Sequence, residues 1–355
     1  MSERKNKKIL YLHGRPSPHP LHAILASSVG STYYPVDTIL RWQDKDKSIL
    51  FRIFSSFINA ILYPFRKFNI ILVDNLHIAP IIAKKIRPFN KNKIAVHLGS
   101  HTLFFLYNNQ YSSFVKKIHL WALKNYDVVI CEGEMAKELV FKILPDFKND
   151  VYVSFLGPKK DRNEKLKEIN PNLDSNKVLI IANGPGEYRK YYKGLDIMIN
   201  SFLIAADQNT DITLEIVGLW DQKIIDSCLE NVPLDKCSRI LFSGATNNIE
   251  DKLRDTSLYF HCSRGDAFPT STIESMASGV PTLVSNWTGT KQLAKCVDDN
   301  FIVNLNEEDI SKKIIWYFSL TANEKKQFSD NFKKIALNYT EELAVKRYME
   351  IFDNI

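Results

Sequence analysis

Two carboxylates in the second half of the chain stand at a spacing that suits a hydroxyl-rich anion. Asp266 and Glu274 are separated by seven residues, and a helix is expected to begin between them near Ser271. A helix N-terminus presents unpaired N–H groups and the positive end of the helix dipole, so it favours an anion. Carboxylates accept hydrogen bonds from the hydroxyls of a sugar or ribose. Together these residues suit a ligand with phosphate in its middle and hydroxyls at both ends, as in a nucleotide sugar.

The same segment predicts where this helix begins and ends. Ser271-Thr272-Ile273-Glu274 fits a capping box, with Ser271 as N-cap and Glu274 at the third helical position. Gly279 suits a left-handed C-terminal cap, and Pro281 prevents continuation. The alternative is that Glu274 only closes the capping box and that Asp266 is an ordinary loop acid.

A basic segment lies upstream, before a predicted helix over Gly194–Ala206. It carries Arg189, Lys190 and Lys193, with Lys193 directly before Gly194. A diphosphate leaving group needs compensating cations as the bond to it breaks, and these side chains could supply them. A solvated basic loop is the alternative.

The elements that must position these residues alternate along the chain. Short apolar runs bounded by turns alternate with longer helical patterns, which is typical of βαβ units and a parallel sheet. The chain is therefore predicted to be α/β, with two doubly wound domains in tandem. The predicted strands are Lys8–Leu12, Asn69–Val73, Lys93–Val96, Asp127–Cys131, Val178–Ala182, Thr213–Val217, Arg239–Phe242, Leu258–His261, Pro281–Ser285 and Phe301–Val303.

The length of the chain agrees with two domains. The chain has 355 residues, and domains of roughly 150 residues are common, so about two are expected. We predict an N-terminal domain over 1–157, a polar linker over 158–176 and a C-terminal domain over 177–338. From Glu307 onward the pattern predicts two or three helices, and the last, about 339–355, is expected to complete the first domain.

Charge is divided unevenly between the two halves. The net charge is +7, but residues 1–150 carry 22 basic and 11 acidic residues, whereas residues 151–355 carry 25 and 29. The first half therefore suits an anionic surface or substrate. The five cysteines form no C-x-x-C pair, which argues against a disulfide framework and favours a reducing compartment. The chain has no apolar run of the roughly 20 residues that span a bilayer.

The stretch from Asp266 to Pro281 resembles the hallmark of glycosyltransferase family 4, the retaining enzymes of the GT-B fold. Asp266 stands where an acid, usually Glu, precedes seven residues, then Glu274, a small-residue helix, Gly279 and Pro281. The resemblance implies a fold of two Rossmann-like domains facing a cleft. It also implies that Glu274 holds the ribose hydroxyls and Asp266 those of the transferred sugar. The donor diphosphate would then be held by Phe268, Thr270, Ser271, Thr272, Arg189, Lys190 and Lys193.

The first half matches the family more weakly. His97 follows the strand Lys93–Val96, where the family places a His beside the donor sugar, and Gly14 follows the first strand, where a backbone can approach a phosphate. His19 and His22 have the spacing of metal ligands, but the sequence supplies no carboxylate beside them. The acids of Asp44-Lys45-Asp46 are interpreted as solvated. No metal site and no cofactor are predicted.

The resemblance implies a reaction. It is the transfer of a hexosyl group from a nucleotide-diphosphate sugar to an acceptor hydroxyl, with retention and without a metal, in cell-surface polysaccharide or glycolipid assembly. Two alternatives stay open: a GT-B-like nucleotide-sugar epimerase, which needs no acceptor, and a non-catalytic sugar-nucleotide-binding subunit. The basic half lacks the motifs of a nucleic-acid reader, so no nucleic-acid partner is predicted.

One segment of the first half suits a membrane surface. Ser48–Lys67 alternates apolar residues with Arg52, Arg66 and Lys67, as in a helix lying on an anionic bilayer. This pattern predicts a cytoplasmic protein that associates peripherally with the inner membrane face and uses a glycan or lipid-linked acceptor. A core helix is the alternative.

Overall fold

The computed structural model describes residues 7–13, 18–35, 48–51, 54, 58, 67–86, 91–99, 101–184 and 186–355. The chain divides into two compact units, Met1–Phe155 with Glu342–Ile355 and Leu156–Glu341. The predicted Gly14, Arg52 and Arg66, and the acids Asp44 and Asp46, lie outside the described residues.

The first unit is built on a parallel sheet. Its described strands run in the order β2-β1-β3-β4-β5-β6, with α-helices along the chain between them. Three inner strands, β1, β3 and β5, are buried along their whole length, as expected when helices cover both faces of a parallel sheet. The strands are β1 Ile9–His13, β2 Ser31–Pro35, β3 Ile70–Asp74, β4 Lys93–Leu98, β5 Val128–Glu132 and β6 Asp150–Ser154, and the helices are α1 Pro20–Ser28, α2 Ala79–Ile86, α3 Thr102–Tyr107, α4 Ser113–Lys124 and α5 Glu134–Ile143.

The second unit repeats this plan with a parallel sheet of order β12-β11-β10-β7-β8-β9 among the described residues. Its strands are β7 Lys177–Ile181, β8 Thr213–Val217, β9 Ile240–Gly244, β10 Leu258–His261, β11 Thr282–Ser285 and β12 Ile302–Val303. Its helices are α6 Lys160–Lys167, α7 Gly186–Lys193, α8 Leu195–Gln208, α9 Gln222–Leu229, α10 Leu234–Cys237, α11 Ile249–Arg254, α12 Thr270–Ser278, α13 Lys291–Lys295, α14 Glu307–Ser319 and α15 Ala322–Ala336. The predicted α/β class with two parallel sheets is confirmed.

All ten predicted strands are present within two residues of their predicted ends, but two further strands were missed. β2 and β6 lie at the two edges of the first sheet. β2 reads Ser-Thr-Tyr-Tyr-Pro and β6 is mostly half-buried, so neither shows the continuous apolar run of an inner strand. Edge strands need less apolar sequence because they have only one neighbouring strand.

The segment 158–176, predicted as a linker, belongs to the second unit and contains α6. Leu166 in this helix and Ile169 after it are buried. Charged residues dominate this helix, so its sequence lacks the apolar periodicity from which a helix is predicted. Arg162 of this helix contacts Glu274 in α12.

The chain ends in three helices, as predicted, and the last of them, α16 (Glu341–Asn354), lies mostly in the first unit. Tyr348 of this helix is buried with its ring 5.6 Å from that of His97. Arg347 Nε donates to the Val153 carbonyl at 3.2 Å, and Lys7 Nζ donates to that of Phe352 at 2.9 Å. Across the part of the chain that is described, no helix is both long enough and apolar enough to cross a bilayer.

Candidate functional site

The site in the second unit begins where β10 ends. A loop leads from His261 to α12, and Asp266 in this loop is 6% exposed. Gly289 N donates to the Asp266 carbonyl at 2.8 Å, and a Cβ at Gly289 would lie 1.5 Å from the Ala267 carbonyl oxygen. The close approach of these two segments therefore requires glycine at 289 and fixes the loop that carries Asp266.

Lys193 and Asp266 form the central contact of the site. Lys193 Nζ lies 2.6 Å from Asp266 Oδ2, and His261 Nε2 lies 3.3 Å from the same oxygen. Burial alone would raise the pKa of Asp266, but the charge of Lys193 and the hydrogen bond of His261 outweigh it and hold that pKa well below its usual value. The carboxylate is therefore ionised and oriented at neutral pH.

Gly194 brings Lys193 to this position. It has φ +73°, and a Cβ there would lie 2.0 Å from the Cys262 carbonyl oxygen, so α7 and α8 meet the end of β10 at a glycine. Arg264 strengthens the same junction through paired contacts of 2.7 and 2.8 Å with the Asp196 carboxylate. Lys193 is thus needed for the contact with Asp266, and Gly194 for the close approach to the Cys262 carbonyl.

The other two predicted cations do not contact Asp266. Lys190 Nζ lies 2.7 Å from Ser227 Oγ and 2.7 Å from Glu187 Oε2. The Arg189 guanidinium lies 5.5 Å from the ring centre of Tyr192, a buried residue whose pKa is raised well above its usual value by burial and by the Asp266 charge. Arg189 is therefore joined to the Asp266 group through Tyr192, whereas Lys190 is directed towards α9.

The predicted capping box is wrong. α12 begins at Thr270 with Pro269 as its N-cap, and Glu274 lies in an ion pair instead, with Arg162 Nη1 3.2 Å from Glu274 Oε1. Glu274 is 9% exposed, and Arg162 of α6 supplies the charge that the buried carboxylate needs. Burial raises the pKa of Glu274 above its usual value, and the Arg162 charge opposes part of that rise. The predicted C-terminal cap is confirmed, since Gly279 has φ +81°.

The predicted backbone donors at the start of α12 differ in accessibility. Thr270 and Ser271 are half-buried, but Thr272 is fully buried and its N–H and hydroxyl both donate to the Pro269 carbonyl. Phe268 is also buried, with its ring 5.7 Å from that of Tyr339. Thr270 and Ser271 are thus the predicted donors best placed to face a ligand.

Three residues of this site were missed by the sequence reasoning: Arg162, Tyr192 and His261. Tyr259 links the site together, because its hydroxyl lies 3.3 Å from His261 Nδ1 and donates to Ser271 Oγ at 2.9 Å. A chain of contacts therefore runs from Asp266 through His261 and Tyr259 to the start of α12. The position of His261 at a strand end, five residues before Asp266, was the available signal.

The predicted His97 lies in the first unit, near the end of β4. It is 2% exposed, and its ring lies 5.1 Å from that of His22. Burial lowers the pKa of His97, which favours its neutral form. The expectation that no carboxylate lies near His22 is wrong, because His22 contacts both Asp74 and Glu132, which are distant in sequence.

Residues 161–335 match the family model described as Glycosyl transferases group 1. Over 191 residues the chain is 25% identical to the N,N'-diacetylbacillosaminyl-diphospho-undecaprenol alpha-1,3-N-acetylgalactosaminyltransferase of Campylobacter jejuni, covering 52% of this chain and 47% of that protein. Over 118 residues it is 29% identical to an uncharacterized glycosyltransferase of Haemophilus influenzae, covering 32% and 33%. The matches thus span from a third to about half the length of these curated relatives.

The fold is similar to that of solved structures over nearly the whole chain. The crystal structure of Anabaena HepE in complex with UDP and glucose matches with a TM-score of 0.70 and 12% sequence identity, covering 98% of this chain and 100% of that one. At this level of identity the likeness shows the fold alone. The predicted GT-B fold is confirmed.

The ion pair of Lys193 and Asp266 predicts a pH-dependent change in stability. Lys193→Met leaves a buried carboxylate without its cation, so we expect a loss of about 3 kcal/mol in unfolding free energy at pH 7. Because the pKa of Asp266 is lowered on folding, the ionised carboxylate stabilises the folded state above the ordinary Asp pKa of about 3.9. This stabilisation is lost progressively as the pH falls below that value. The difference in unfolding free energy between Lys193→Met and the parent protein should therefore shrink as the pH falls.

Urea denaturation of the full chain at several pH values between about 7 and 3 measures this change. Lys312→Met is the matched control, because Lys312 pairs with Glu308 at 2.7 Å on the surface, with side chains 68% and 78% exposed, and its loss should change stability much less. A Lys193→Met deficit that stays constant from pH 7 down to pH 3 would contradict the prediction.

Proposed function

We propose, from the match of residues 161–335 to the family model described as Glycosyl transferases group 1, that the chain is a retaining glycosyltransferase. It moves a hexosyl group from a nucleotide-diphosphate sugar to an acceptor hydroxyl, in cell-surface polysaccharide or glycolipid assembly. The observation that carries the proposal is the buried contact of Lys193 with Asp266 at the carboxyl end of β10. In this proposal Lys193 is the cation for phosphate and Asp266 the carboxylate for sugar hydroxyls, at the strand ends where ligands bind in doubly wound sheets.

The donor diphosphate is assigned to Lys193, Arg189 and the start of α12. The Lys193 side chain is 16% exposed, and its Nζ lies beside the loop that leads to this helix. The N–H groups of Thr270 and Ser271 lie in the first turn, where a helix has no internal acceptors for them. As the glycosidic bond breaks, negative charge develops on the leaving diphosphate, and fixed cations and N–H groups stabilise it without reorganising. In this proposal the side chains supply the compensation that a metal ion supplies in other transferases.

The two carboxylates are assigned to the two ends of the donor. Asp266, ionised and held by Lys193 and His261, accepts hydrogen bonds from the transferred sugar. Glu274 accepts them from the ribose hydroxyls, and since Arg162 contacts Oε1, Oε2 can take a ligand. The 2% exposure of His97 means that the sugar contact implied for it would require movement of its neighbours. Gly14 keeps its predicted role near the phosphates and lies outside the described residues.

The mechanism implied is front-face attack, in which the acceptor hydroxyl approaches from the side of the departing diphosphate. The proton of that hydroxyl passes to the leaving phosphate oxygen, and the new glycosidic bond forms with the anomeric configuration kept. The protein contributes orientation and charge stabilisation. Asp266 and Glu274 hold the donor, and Lys193 lowers the energy of the departing anion.

Substitution of Glu274 tests the donor assignment. Glu274→Gln keeps the shape but loses the charge, and Glu274→Ala loses both. We expect kcat/KM for the donor to fall about 100-fold or more, since a charged hydrogen bond is worth about 3 kcal/mol and each 1.4 kcal/mol is tenfold. The measurement is sugar transfer and donor hydrolysis across a panel of nucleotide sugars, with product analysis of the donor incubated alone.

Glu215→Gln is the matched control, because Glu215 is a buried carboxylate of the same unit, 3.3 Å from Lys177 Nζ and outside the proposed site. Its loss should lower stability and leave kcat/KM nearly unchanged. Unaltered turnover in Glu274→Ala would end the assignment. Conversion of the donor alone to a different sugar nucleotide would favour an epimerase.

We also propose that the first unit meets an anionic membrane carrying a lipid-linked acceptor, at the inner membrane face. Large apolar side chains of the segment Ser48–Lys67 are exposed to solvent: Ile49 at 42%, Leu50 at 75% and Phe54 at 63%. The excess of basic residues in the first half adds attraction to anionic lipid. The Campylobacter relative is named for a diphospho-undecaprenol-linked substrate, which is the same class of acceptor.

Vesicle binding tests this contact. Neutralising Arg52, Arg66 and Lys67 together should weaken binding to phosphatidylglycerol vesicles about 100-fold, at about 1 kcal/mol for each charge. Neutralising Lys312 and Lys326, which are exposed on the second unit, is the control and should have little effect. Failure of the unaltered protein to bind such vesicles would end the proposal.

A further inference from the structure

A second group of ionisable side chains lies at the carboxyl ends of the strands in the first unit. β1, β3, β4 and β5 are consecutive neighbours in the sheet, and Asp74 of β3 is the register partner of His97 in β4. The group consists of His13, His22, Asp74, His97 and Glu132 and is almost entirely buried, with His22 reaching it from α1. The reaction proposed for the second unit leaves Asp74, Glu132 and His22 unused.

Three ligand atoms of this group converge on one point. His22 Nε2 lies 2.8 Å from Glu132 Oε1, and His97 Nε2 lies 3.2 Å from the same oxygen. All three atoms lie within 4.8 Å of one another. Around a tetrahedral Zn²⁺ with bonds of about 2.0–2.1 Å, ligand atoms stand about 3.3 Å apart. The two separations to Glu132 Oε1 therefore need only a small expansion to match that geometry.

Two of these atoms are buried polar atoms with no hydrogen-bond partner among the described residues, His97 Nε2 and Glu132 Oε1. These two atoms lie 3.2 Å apart without the alignment of a hydrogen bond, and Glu132 Oε1 also lies 2.8 Å from His22 Nε2. Buried polar atoms normally have a hydrogen-bond partner or another ligand. A cation would satisfy both atoms at once.

The surroundings fix the orientation of the ligands. His22 Nδ1 lies 3.3 Å from Asp74 Oδ2, and His13 Nε2 lies 2.8 Å from that same oxygen. A carboxylate behind a metal-binding His fixes its tautomer and directs the other nitrogen to the metal. Gly99 makes room for Glu132, because a Cβ there would lie 2.2 Å from its carboxylate. The His22 side chain is 15% exposed, so the cluster meets solvent on that side.

We propose that His22, His97 and Glu132 bind a divalent cation of the zinc type, with Asp74 as the residue that orients His22. Two imidazole nitrogens and one carboxylate oxygen are a donor set that suits Zn²⁺, and three protein ligands leave a fourth position for water. The contacts that indicate this cation site do not rest on the proposed transferase activity. The site does compete with one part of that activity, since His97 Nε2 cannot ligate a cation and contact a sugar at the same time.

Metal binding by the full chain tests the proposal directly. The protein is stripped with a chelator and dialysed against Zn²⁺, and bound metal is counted by elemental analysis. We expect one equivalent in the parent protein. His22→Gln and Glu132→Gln should lose it, and Asp74→Asn should weaken affinity about 10- to 100-fold. His119→Gln is the matched control, because His119 is a buried imidazole of the same unit outside the cluster, and it should keep one equivalent.

A second measurement does not depend on the variants folding. X-ray absorption of the zinc-loaded parent protein should show only nitrogen and oxygen ligands at about 2.0–2.1 Å, with imidazole scattering. A sulfur ligand would assign the metal to one of the free cysteines and overturn the proposal. No bound zinc in the parent protein, or an undiminished equivalent in folded His22→Gln and Glu132→Gln, would overturn it as well.

Discussion

A lysine and an aspartate that are both largely removed from water hold the second unit's site in one geometry. The Asp266 carboxylate lies at the end of β10 in a loop with little solvent contact, and a buried charge is stable only when it is paired and hydrogen-bonded. Lys193 provides the pairing and His261 the hydrogen bond. This requirement constrains the backbone as well, since Lys193 reaches Asp266 only because α7 and α8 meet at Gly194, directly against the Cys262 carbonyl.

The two units satisfy buried carboxylates by different means. In the second unit, the carboxylates of Asp266 and Glu274 face the ammonium group of Lys193 and the guanidinium group of Arg162. In the first unit, Asp74 and Glu132 face imidazoles. Cations of fixed charge suit a site that receives an anion, because they remain attractive when it arrives. Imidazoles can instead give a lone pair to a metal or exchange a proton. The same sheet architecture therefore offers two kinds of chemistry at its strand ends.

Much of the fold could be read from the sequence because the signals are local. Inner strands such as Ile70–Asp74 are continuous apolar runs, and Gly279 followed by Pro281 ends α12 as predicted. The edge strands β2 and β6 lack such runs. Local rules also explain the error at Glu274, since a capping box depends on neighbouring residues, whereas the ion pair with Arg162 joins positions 112 residues apart.

The site was predicted in part for the same reason. Asp266, Glu274 and the Lys193-Gly194 pair lie in motifs with fixed spacing, so the sequence alone indicates them as candidate site residues. Arg162 lies in a charged helix that resembles a linker, and His22 meets Asp74 and Glu132 only because the sheet order brings distant strand ends together. Contacts of this kind follow from topology, which the spacing of residues in a sequence does not specify.

The proposed transfer reaction requires the second unit to bind a nucleoside diphosphate at Lys193 and the start of α12. Hydrogen–deuterium exchange of the full chain, with and without saturating UDP, GDP or ADP, measures this most directly. For the nucleotide that binds, we predict slower exchange in two segments, residues 186–194 and 262–272. Binding that leaves both segments unchanged, or the absence of binding by any of the three nucleotides, would contradict the account.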